Sequence, residues 1–376
     1  MDHKTTEQTA QRMTQRITRL TPLDAVLARI DARVAAVAPR EVALAAAAGR
    51  IVADDLILPV RPAAALALRD GFALSAALTQ DASAYAPAPL AAALRVDTGA
   101  PLPRGTDAVA AIDAVTIGNG QAQAIAVVTA GEGVLPAGAD ADGKTVLLPA
   151  GRSLNPAAAA ALAAAQVAHL RIREPRLRVL RIRPDPVLEA AAHWVGRAIE
   201  AQGGVALIDA GAQLDEALRD EAAAAVVAIG GTGSGRDDTS VATLAQLGEV
   251  EAHGIALSPG ETTAFGVVGG RPVLLLPGRL DAALAAWTLL GCRMLARLAA
   301  SGEEPRGVSG ALTRKVASNL GLAELVPARW RGREVEPLGA VYLPLQAIGR
   351  SDGWILIGAD REGHPAGSSV VVEPWP

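Results

Sequence analysis

One glycine-rich segment combines residue types that suit phosphate binding. It follows an apolar run, Val226–Ile229, and precedes a helical pattern near Thr239–Leu247. Glycine lets a backbone approach a ligand closely, and open α/β sheets bind ligands beyond the carboxyl ends of their strands. The segment therefore predicts an anion-binding loop to which two hydroxyl groups can donate. It reads Gly230-Gly231-Thr232-Gly233-Ser234-Gly235-Arg236-Asp237-Asp238.

Two carboxylates, Asp237 and Asp238, end this loop. Carboxylate oxygens are ligands for Mg²⁺, and aspartate is also a common cap of a helix N-terminus. The residues alone leave both roles open. The alternative for the whole segment is a flexible loop that ends in an aspartate cap.

Four shorter turns add polar groups and constrained backbone to the candidates. The turn at Leu276-Pro277-Gly278 is predicted to lie beside the glycine-rich loop, because both follow strands of the same predicted sheet. An ordinary Asp-Gly turn is the alternative for the segment that contains Asp70 and Gly71. The others are Arg69-Asp70-Gly71-Phe72-Ala73, the turn that contains Thr98, and Ser258-Pro259-Gly260-Glu261.

Two further patterns predict no site. Residues 138–145 fit the pattern G-x-x-x-x-G-K-[ST], but a phosphate loop needs a helix after it, and here a strand, Val146–Pro149, is predicted. Asp140 and Asp142 would also repel phosphate, so we predict a turn between strands. No motif surrounds any histidine, and each is expected to be structural or exposed: His3, His169, His193, His253 and His364.

The elements that would position the glycine-rich loop follow a β-α-β-α-β-α order. This alternation, from Leu177 onward, predicts a parallel sheet with helices on both faces. A hairpin, Thr263–Val268 with Pro272–Leu276, should turn at Gly269-Gly270. A long helix, Leu280–Leu298, is predicted to close the domain.

The rest of the chain divides by composition into further regions. Residues 1–20 are predicted to be a tail, and residues 21–58 with 150–176 a helical linker domain that includes a helix over Val42–Ala48. Residues 59–149 are predicted to form a β-rich inserted domain, residues 177–302 the α/β domain, and residues 303–376 a small β domain. Its predicted strands are Glu324–Ala328, Val341–Leu345, Trp354–Gly358 and Ser369–Glu373.

Composition excludes several classes of protein. The 376 residues carry a net charge of −4, which disfavours a nucleic-acid binder. The longest uncharged apolar stretch, Pro156–Val167, is shorter than the roughly 18–20 residues that cross a bilayer. The single Cys292 cannot form an internal disulfide. We therefore expect a cytoplasmic protein that binds neither nucleic acid nor membrane.

Together these segments resemble the molybdopterin molybdenumtransferase family, which includes the C-terminal domain of gephyrin. The family's M-D-G-Y-A corresponds to Arg69-Asp70-Gly71-Phe72-Ala73, its T-G-A-P-x-P-x-G-A-D-A-V-V to Thr98 through Val109 with small changes, and its G-G-x-S-x-G-x-x-D to residues 230–238. Its P-G-K-P…A-F-G and L-P-G-N-P appear at residues 259–266 and 276–280. The match runs in order from about Thr21 to Pro374.

The resemblance implies a multidomain α/β fold and a reaction. The fold would combine a central three-layer α/β domain of the molybdopterin-binding type, a β-rich insertion, an N-terminal helical linker domain and a small C-terminal β barrel, in a homodimer. The reaction would insert molybdate into the dithiolene of adenylylated molybdopterin (molybdopterin-AMP), with Mg²⁺, and release AMP. The ligand would lie between the α/β domain of one subunit and the insertion of the other.

The family's functional residues are assigned to this sequence by matching the motif positions. Asp70, Thr98 and Asp238 would be catalytic, and Asp237 with Asp238 would bind the metal. The ligand-binding positions would be Gly230, Gly231, Thr232, Gly233, Ser234, Gly235, Asp185, Pro259, Gly260, Pro277 and Gly278.

Three motifs depart from the family pattern. The lysines of K-P-G-K-P are replaced by Ser258 and Glu261, the Glu of G-D-E-L by Pro186, and the Asn-Pro of L-P-G-N-P by Arg279-Leu280. Losing one preorganised charge or donor typically costs about 3–4 kcal/mol, or roughly 10²–10³ in rate. A guanidinium, from Arg236 or Arg279, can replace a lost cation.

These departures leave two alternatives to the enzyme. One is a non-catalytic protein that binds molybdopterin, or that delivers the cofactor to a molybdoenzyme or to another cofactor-biosynthesis protein. The other is a scaffold that keeps the fold and binds no ligand.

Overall fold

The computed structural model describes residues 15, 17–91, 93–118, 120–209, 213–302, 307–339 and 342–376. Most of the predicted N-terminal tail therefore lies outside the described residues. The chain divides into two compact units. The first comprises residues up to Asp54, Ala150–Pro156 and His169–Pro376, and the second comprises Asp55–Pro149 and Ala157–Ala168.

A six-stranded sheet forms the centre of the first unit. The first four strands in its spatial order run parallel, and the fifth, Ala264–Val268, is antiparallel to both of its neighbours. The hairpin turns at Gly269-Gly270, as predicted, and both glycines have positive φ, as a two-residue type I′ loop requires. The order is Val205–Asp209, Arg176–Arg181, Ala225–Ile229, Arg271–Leu276, Ala264–Val268, Glu249–His253.

Helices cover both faces of this sheet. In the strand Ala225–Ile229, Val227 and Ile229 belong to one core, and Val226 and Ala228 belong to the other. This alternation is the two-residue period of a strand that is buried on both sides. The first face packs against the helices Pro186–Ala201 and Leu280–Ala286, and the second against Leu214–Arg219 and Ser240–Leu247.

The predicted long helix is interrupted by a π turn. The helix Leu280–Ala286 continues through the π segment Trp287–Gly291 into Cys292–Ala299. Within the described residues, this 20-residue run is the one helix that is long and apolar enough to cross a bilayer, but 72% of its most apolar window is buried in protein. A helix buried to this extent is part of the protein core.

The N-terminal part of the first unit contains more strand than predicted. The helix Leu23–Arg33 buries Val26 and Ile30 in the larger core. The predicted helix over Val42–Ala48 is wrong. A strand, Arg40–Ala43, is followed by a 3₁₀ turn, Leu44–Ala46. Pairing of the strand with a distant partner overrides the helical propensity of the alanines. The sheet order is Arg40–Ala43, His169–Arg173, Ile51–Val52.

The C-terminal region is a closed barrel of five strands, as predicted. The predicted strand Val341–Leu345 is wrong, since the helix Leu345–Arg350 begins within it and residue 341 lies outside the described residues. Neighbours around the barrel are Ala323–Arg331, Glu334–Pro337, Val308–Leu312, Ser369–Pro374 and Gly353–Ile357, which pairs again with the first. Ile255–Ser258 extends this sheet by pairing with Ala323–Arg331 and with Thr21–Pro22. A separate ribbon pairs Val316–Ala317 with Gly363–His364.

The second unit consists of short strands and most of the helix Pro156–Ala164. Residues 138–145 form the predicted turn, because the Asp142 carboxylate accepts N–H groups of Lys144 and Thr145 and a strand follows. The strands group as Leu56–Ile57 with Val146–Leu148; Leu66–Ala67 with Val134–Leu135; Leu94–Val96, Gly71–Leu74 and Ala108–Ala111; and Val115–Gly118, Gln121–Ala124 and Ala88–Leu90. Two 3₁₀ turns, Ala76–Thr79 and Ile112–Ala114, connect them.

Replacing Gly291 with alanine should destabilise the first unit. The added Cβ would lie 2.2 Å from Cε3 of Trp287, which is fully buried and has no room to move. We expect the free energy of unfolding to fall by about 1–3 kcal/mol, the usual cost of overpacking. Urea denaturation followed by tryptophan fluorescence measures it.

The control is Gly349→Ala in the helix Leu345–Arg350, where the new Cβ would meet nothing within 4 Å. Alanine favours a helix over glycine by up to about 1 kcal/mol, so this variant should be as stable as the parent protein or more stable. Equal stability of the two variants would contradict the packing described for Trp287.

Candidate anion-binding site

The glycine-rich loop leaves the centre of the six-stranded sheet. It starts at the carboxyl end of Ala225–Ile229, and Gly230 N donates to Leu276 O of the neighbouring strand at 2.9 Å. Gly230 and Gly231 have φ values of 102° and 70°. A Cβ on Gly231 would lie 2.3 Å from Ser240 Oγ. Both the backbone angles and the close contact therefore require glycine at the start of the loop.

Four consecutive carbonyls of this loop accept hydrogen bonds from the protein. One of the groups that contact these carbonyls is Nε2 of His253. Since a carbonyl only accepts hydrogen bonds, this nitrogen must carry a proton. Burial lowers the pKa of His253, which favours the neutral ring with its proton on Nε2. The pairs are Gly230 O with Ser240 Oγ (2.9 Å), Gly231 O with Ser240 N (3.0 Å) and Gln15 Nε2 (2.7 Å), Thr232 O with His253 Nε2 (3.0 Å), and Gly233 O with Gln15 Nε2 (3.0 Å).

The loop N–H groups consequently face away from these donors. In a trans peptide the N–H of one residue points opposite to the carbonyl of the residue before it. The described part of the chain offers no acceptor to the N–H groups of Thr232, Gly233 and Ser234. Thr232 is 1% exposed, and a buried N–H without a partner is costly. Successive N–H groups of this kind form a concave site that favours an anion.

Asp238 holds the far end of the loop. Its Oδ2 accepts the N–H of Gly235 at 3.0 Å, and it would lie 2.8 and 2.9 Å from Cβ atoms placed on Gly233 and Gly235. The helix that follows, Ser240–Leu247, starts after Thr239 without a side-chain cap. Asp238 therefore does not cap the helix, which was one of the two roles that the sequence left open. Asp237 is exposed beside it.

Two predicted turns lie close to the loop. A Cβ on Gly278 would be 3.6 Å from Gly230 Cα, so the turn Pro277-Gly278 is in contact with the loop. Thr262 Oγ1 lies 3.0 Å from Thr232 Oγ1, which brings the turn that contains Pro259 and Gly260 to the loop as well.

The positions of the two missing lysines carry no positive charge here. Ser258 is buried, with 4% exposed. Glu261 turns its carboxylate back onto its own turn, where Oε2 accepts the N–H of Gly260 at 3.1 Å. The electrostatic field at this edge of the site is therefore less positive than the family pattern implies.

Asp185 lies at the N-terminus of the helix Pro186–Ala201 and caps it. Its Oδ1 accepts the N–H groups of Val187 (2.8 Å) and Leu188 (3.3 Å). Asp185 and Gly278 line one cavity of about 340 Å³. A carboxylate in this position complements the helix dipole, so capping accounts for Asp185 without a ligand.

Arg279 occupies the position of the asparagine in the family's L-P-G-N-P motif. Its guanidinium pairs with the buried carboxylate of Asp281 at 2.6 and 3.1 Å and lies 5.3 Å from the centre of the Tyr342 ring. Pairing with Asp281 raises the pKa of Arg279 further. The side chain remains 59% exposed, so its free edge is open to a ligand. Arg183, 4.0 Å from a Cβ placed on Gly278, is a second exposed cation.

In the second unit, Asp70 and Thr98 contact each other. Asp70 Oδ1 accepts both the backbone N–H (2.8 Å) and the hydroxyl (2.9 Å) of Thr98. These bonds, with a smaller effect from Arg95, hold the pKa of Asp70 below its usual range, so the carboxylate stays charged. The neighbouring Gly71 admits no side chain, because a Cβ would lie 2.0 Å from Ala110 O.

The carboxylates present could hold a magnesium ion only together with oxygen atoms of a bound phosphate. Among the described residues, no three His, Cys, Asp or Glu side chains converge on a metal site. Mg²⁺ is commonly held by one or two carboxylates together with phosphate oxygens and water. Asp237 and Asp238, beside an anion-binding loop, match that arrangement and do not match a site made of protein groups alone.

Sequence reasoning missed two residues of this site. Gln15 is 216 positions from Gly231 in the chain, and His253 stands outside any motif. Neither residue type nor spacing signals its contact, because each acts on the loop through one side-chain donor whose partner is a backbone carbonyl.

The fold and the loop define a multidomain α/β protein with a candidate anion site at the carboxyl edge of its sheet. Two family models match it: "MoeA N-terminal region (domain I and II)" over residues 21–165 and "Probable molybdopterin binding domain" over residues 180–297. The chain belongs to the MoeA family of molybdenum cofactor biosynthesis.

Individual relatives agree with this placement. The chain is 25% identical to the molybdopterin molybdenumtransferase of Haemophilus influenzae, over 88% of this chain and 92% of that protein. It is 32% identical to a protein of Methanocaldococcus jannaschii named for molybdopterin biosynthesis, over 39% of this chain and only 35% of that protein. A solved MoeA structure from Pyrococcus horikoshii is similar with a TM-score of 0.78, at 25% identity, over 95% of this chain and all of that one.

Thr98→Val should raise the pKa of Asp70 toward its ordinary value. The substitution removes the hydroxyl donor and keeps the N–H, so the pKa should remain somewhat below the ordinary value. The titration is followed by NMR at the Asp70 carboxyl carbon. Thr98→Ser keeps the hydroxyl and should leave the pKa in place. An unchanged pKa in the valine variant would show that the hydroxyl does not contact Asp70.

Proposed function

We propose that this protein binds adenylylated molybdopterin at the glycine-rich loop and inserts molybdate into its dithiolene, with release of AMP. The observation that carries the proposal is the row of N–H groups at Thr232, Gly233 and Ser234, for which the described residues offer no acceptor. These groups would bind the phosphate of the nucleotide. The hydroxyl of Ser234, which is exposed, adds a donor on the same loop.

Asp237 and Asp238 would hold a Mg²⁺ ion, which would supply positive charge near the phosphate of the nucleotide. The guanidinium of Arg279, at the adjacent turn, would supply a second positive charge in place of the family lysines. Bidentate binding of phosphate or molybdate suits a guanidinium.

The resemblance to the family supports a role for Asp70 and Thr98 in binding the pterin. A carboxylate that stays charged accepts hydrogen bonds from the N–H groups of a pterin, and Thr98 keeps it oriented. The resemblance to the family also supports a homodimer, and the composition supports a cytoplasmic location.

A second candidate function is binding or delivery of the cofactor without catalysis. Two observations favour it: Ser258 is buried and uncharged, and Glu261 places a negative charge at a position where the family has a lysine. Loss of these cations affects developing charge in a transition state more than it affects ground-state binding by backbone N–H groups.

The two functions are separated by incubating the protein with adenylylated molybdopterin, Mg²⁺ and molybdate and measuring AMP. We expect release that depends on molybdate. Tight binding without release would leave the second candidate, and absence of binding would eliminate both. An active family member, such as the Haemophilus influenzae transferase, serves as the positive control.

Asp238→Asn should weaken the Mg²⁺-dependent part of AMP binding, and Asp238→Ala should abolish it. The asparagine oxygen can still accept the Gly235 N–H, so this variant keeps the loop and loses only the charge. Isothermal titration with AMP, with and without Mg²⁺, measures the effect. If the asparagine variant retains the full Mg²⁺ effect while the alanine variant loses it, Asp238 shapes the loop and does not bind the metal.

A further inference from the structure

The carbonyl side of the glycine-rich loop contains two donors that no motif includes. Gln15 is 5% exposed, and its Nε2 bridges Gly231 O and Gly233 O at 2.7 and 3.0 Å. His253 Nε2 contacts the carbonyl between them, Thr232 O, at 3.0 Å. The three carbonyls are therefore held in succession by two side chains.

We infer that Gln15 and His253 are positioning residues that set the loop for anion binding. Each carbonyl they hold fixes the plane of one peptide, and that plane fixes the direction of the next N–H. Gln15 thereby orients the N–H group of Ser234 and, together with Ser240 N, that of Thr232, and His253 orients that of Gly233. Neither side chain touches the anion. The inference rests on the proposed function, since it deepens the role of the same loop.

Among the described residues, no other group donates to the carbonyls of Thr232 and Gly233. Ser240 Oγ and Ser240 N hold Gly230 O and Gly231 O, at the start of the loop, and Asp238 holds the Gly235 N–H at its end. The carbonyls of Thr232 and Gly233 have only His253 and Gln15. A Gly-Thr-Gly-Ser segment without these donors could rotate its peptides freely, because glycine accepts both signs of φ.

The orphan oxygen of Gln15 fits this role. Its Oε1 is buried and has no donor among the described residues, so the amide is held only through its nitrogen. An unsatisfied buried acceptor is costly and is tolerated where it serves another purpose. Here the purpose is one NH₂ group placed between two carbonyls.

The test compares AMP binding by wild-type protein with binding by Gln15→Met and His253→Leu. Each variant removes a donor while keeping apolar bulk, and each should raise the Kd for AMP about tenfold, equivalent to about 1.4 kcal/mol. His253→Gln restores an N–H donor and should keep the wild-type Kd. A loss that this conservative variant rescues is not expected from general destabilisation.

The matched control is Gln202→Met in the same unit. Gln202 also donates through Nε2, to Cys292 Sγ at 3.2 Å, but it lies outside the loop and should leave the Kd unchanged. Carbonyl ¹³C shifts report the geometry directly. Those of Gly231 and Gly233 should move in Gln15→Met, and that of Thr232 should move in His253→Leu.

The outcomes separate this inference from the proposed function. If the wild-type protein does not bind AMP, both fail. If it binds AMP and the two variants bind equally well, the positioning role is overturned and the proposed function stands. Weaker binding in Gln202→Met of the same size would also overturn the positioning role, because the loss would then reflect general destabilisation.

Discussion

The orientation of four peptide planes in the glycine-rich loop is the constraint on which the rest of the site depends. Backbone carbonyls and N–H groups on one peptide point in opposite directions, so donors that satisfy the carbonyls leave the N–H groups pointing away from those donors. Ser240, Gln15 and His253 supply these donors. In the proposed function, the preference for an anion would come from the backbone and would not need a lysine.

The surrounding fold provides the rigid support that such a loop requires. The strand Ala225–Ile229 is fully buried between two helical layers, and its end fixes where the loop begins. The hairpin Ala264–Val268 with Arg271–Leu276 carries the turn at Pro277-Gly278 to within contact of Gly230. Because the sheet is packed on both faces, the ends of these strands keep fixed positions relative to each other.

Electrostatics distinguish the proposed binding of the ligand from the proposed catalysis. Dipoles of N–H groups suffice to bind an anion in its ground state, whereas charge that develops during a reaction calls for additional fixed cations. Glu261 and Ser258 reduce the positive field, while Arg279, paired with the buried Asp281, restores part of it from a different direction. The balance of these charges bears on turnover more than on affinity.

The sequence by itself determined the layered α/β architecture and the candidate loop, whereas the closed C-terminal barrel was implied by the resemblance to the family. Short apolar runs, β-α alternation and glycines with fixed spacing are local signals, and they are legible at Ala225–Ile229, at Gly269-Gly270 and at Gly230-Gly231. Local signals failed at Val42–Ala48, where the alanines suggested a helix and pairing with His169–Arg173 imposed a strand. They also failed at Val341–Leu345, where a helix begins at Leu345.

Only the tertiary structure decided which side chains complete the site. Gln15 and His253 reach the loop from far away in the chain, and Asp70 meets Thr98 across 28 positions. The sequence left Asp238 open between a metal ligand and a helix cap, and only the position of its carboxylate showed that it does not cap the helix. The physical reason is that a hydrogen bond between a side chain and a distant backbone carbonyl depends on the folded position of both groups, and residue type and spacing do not encode that position.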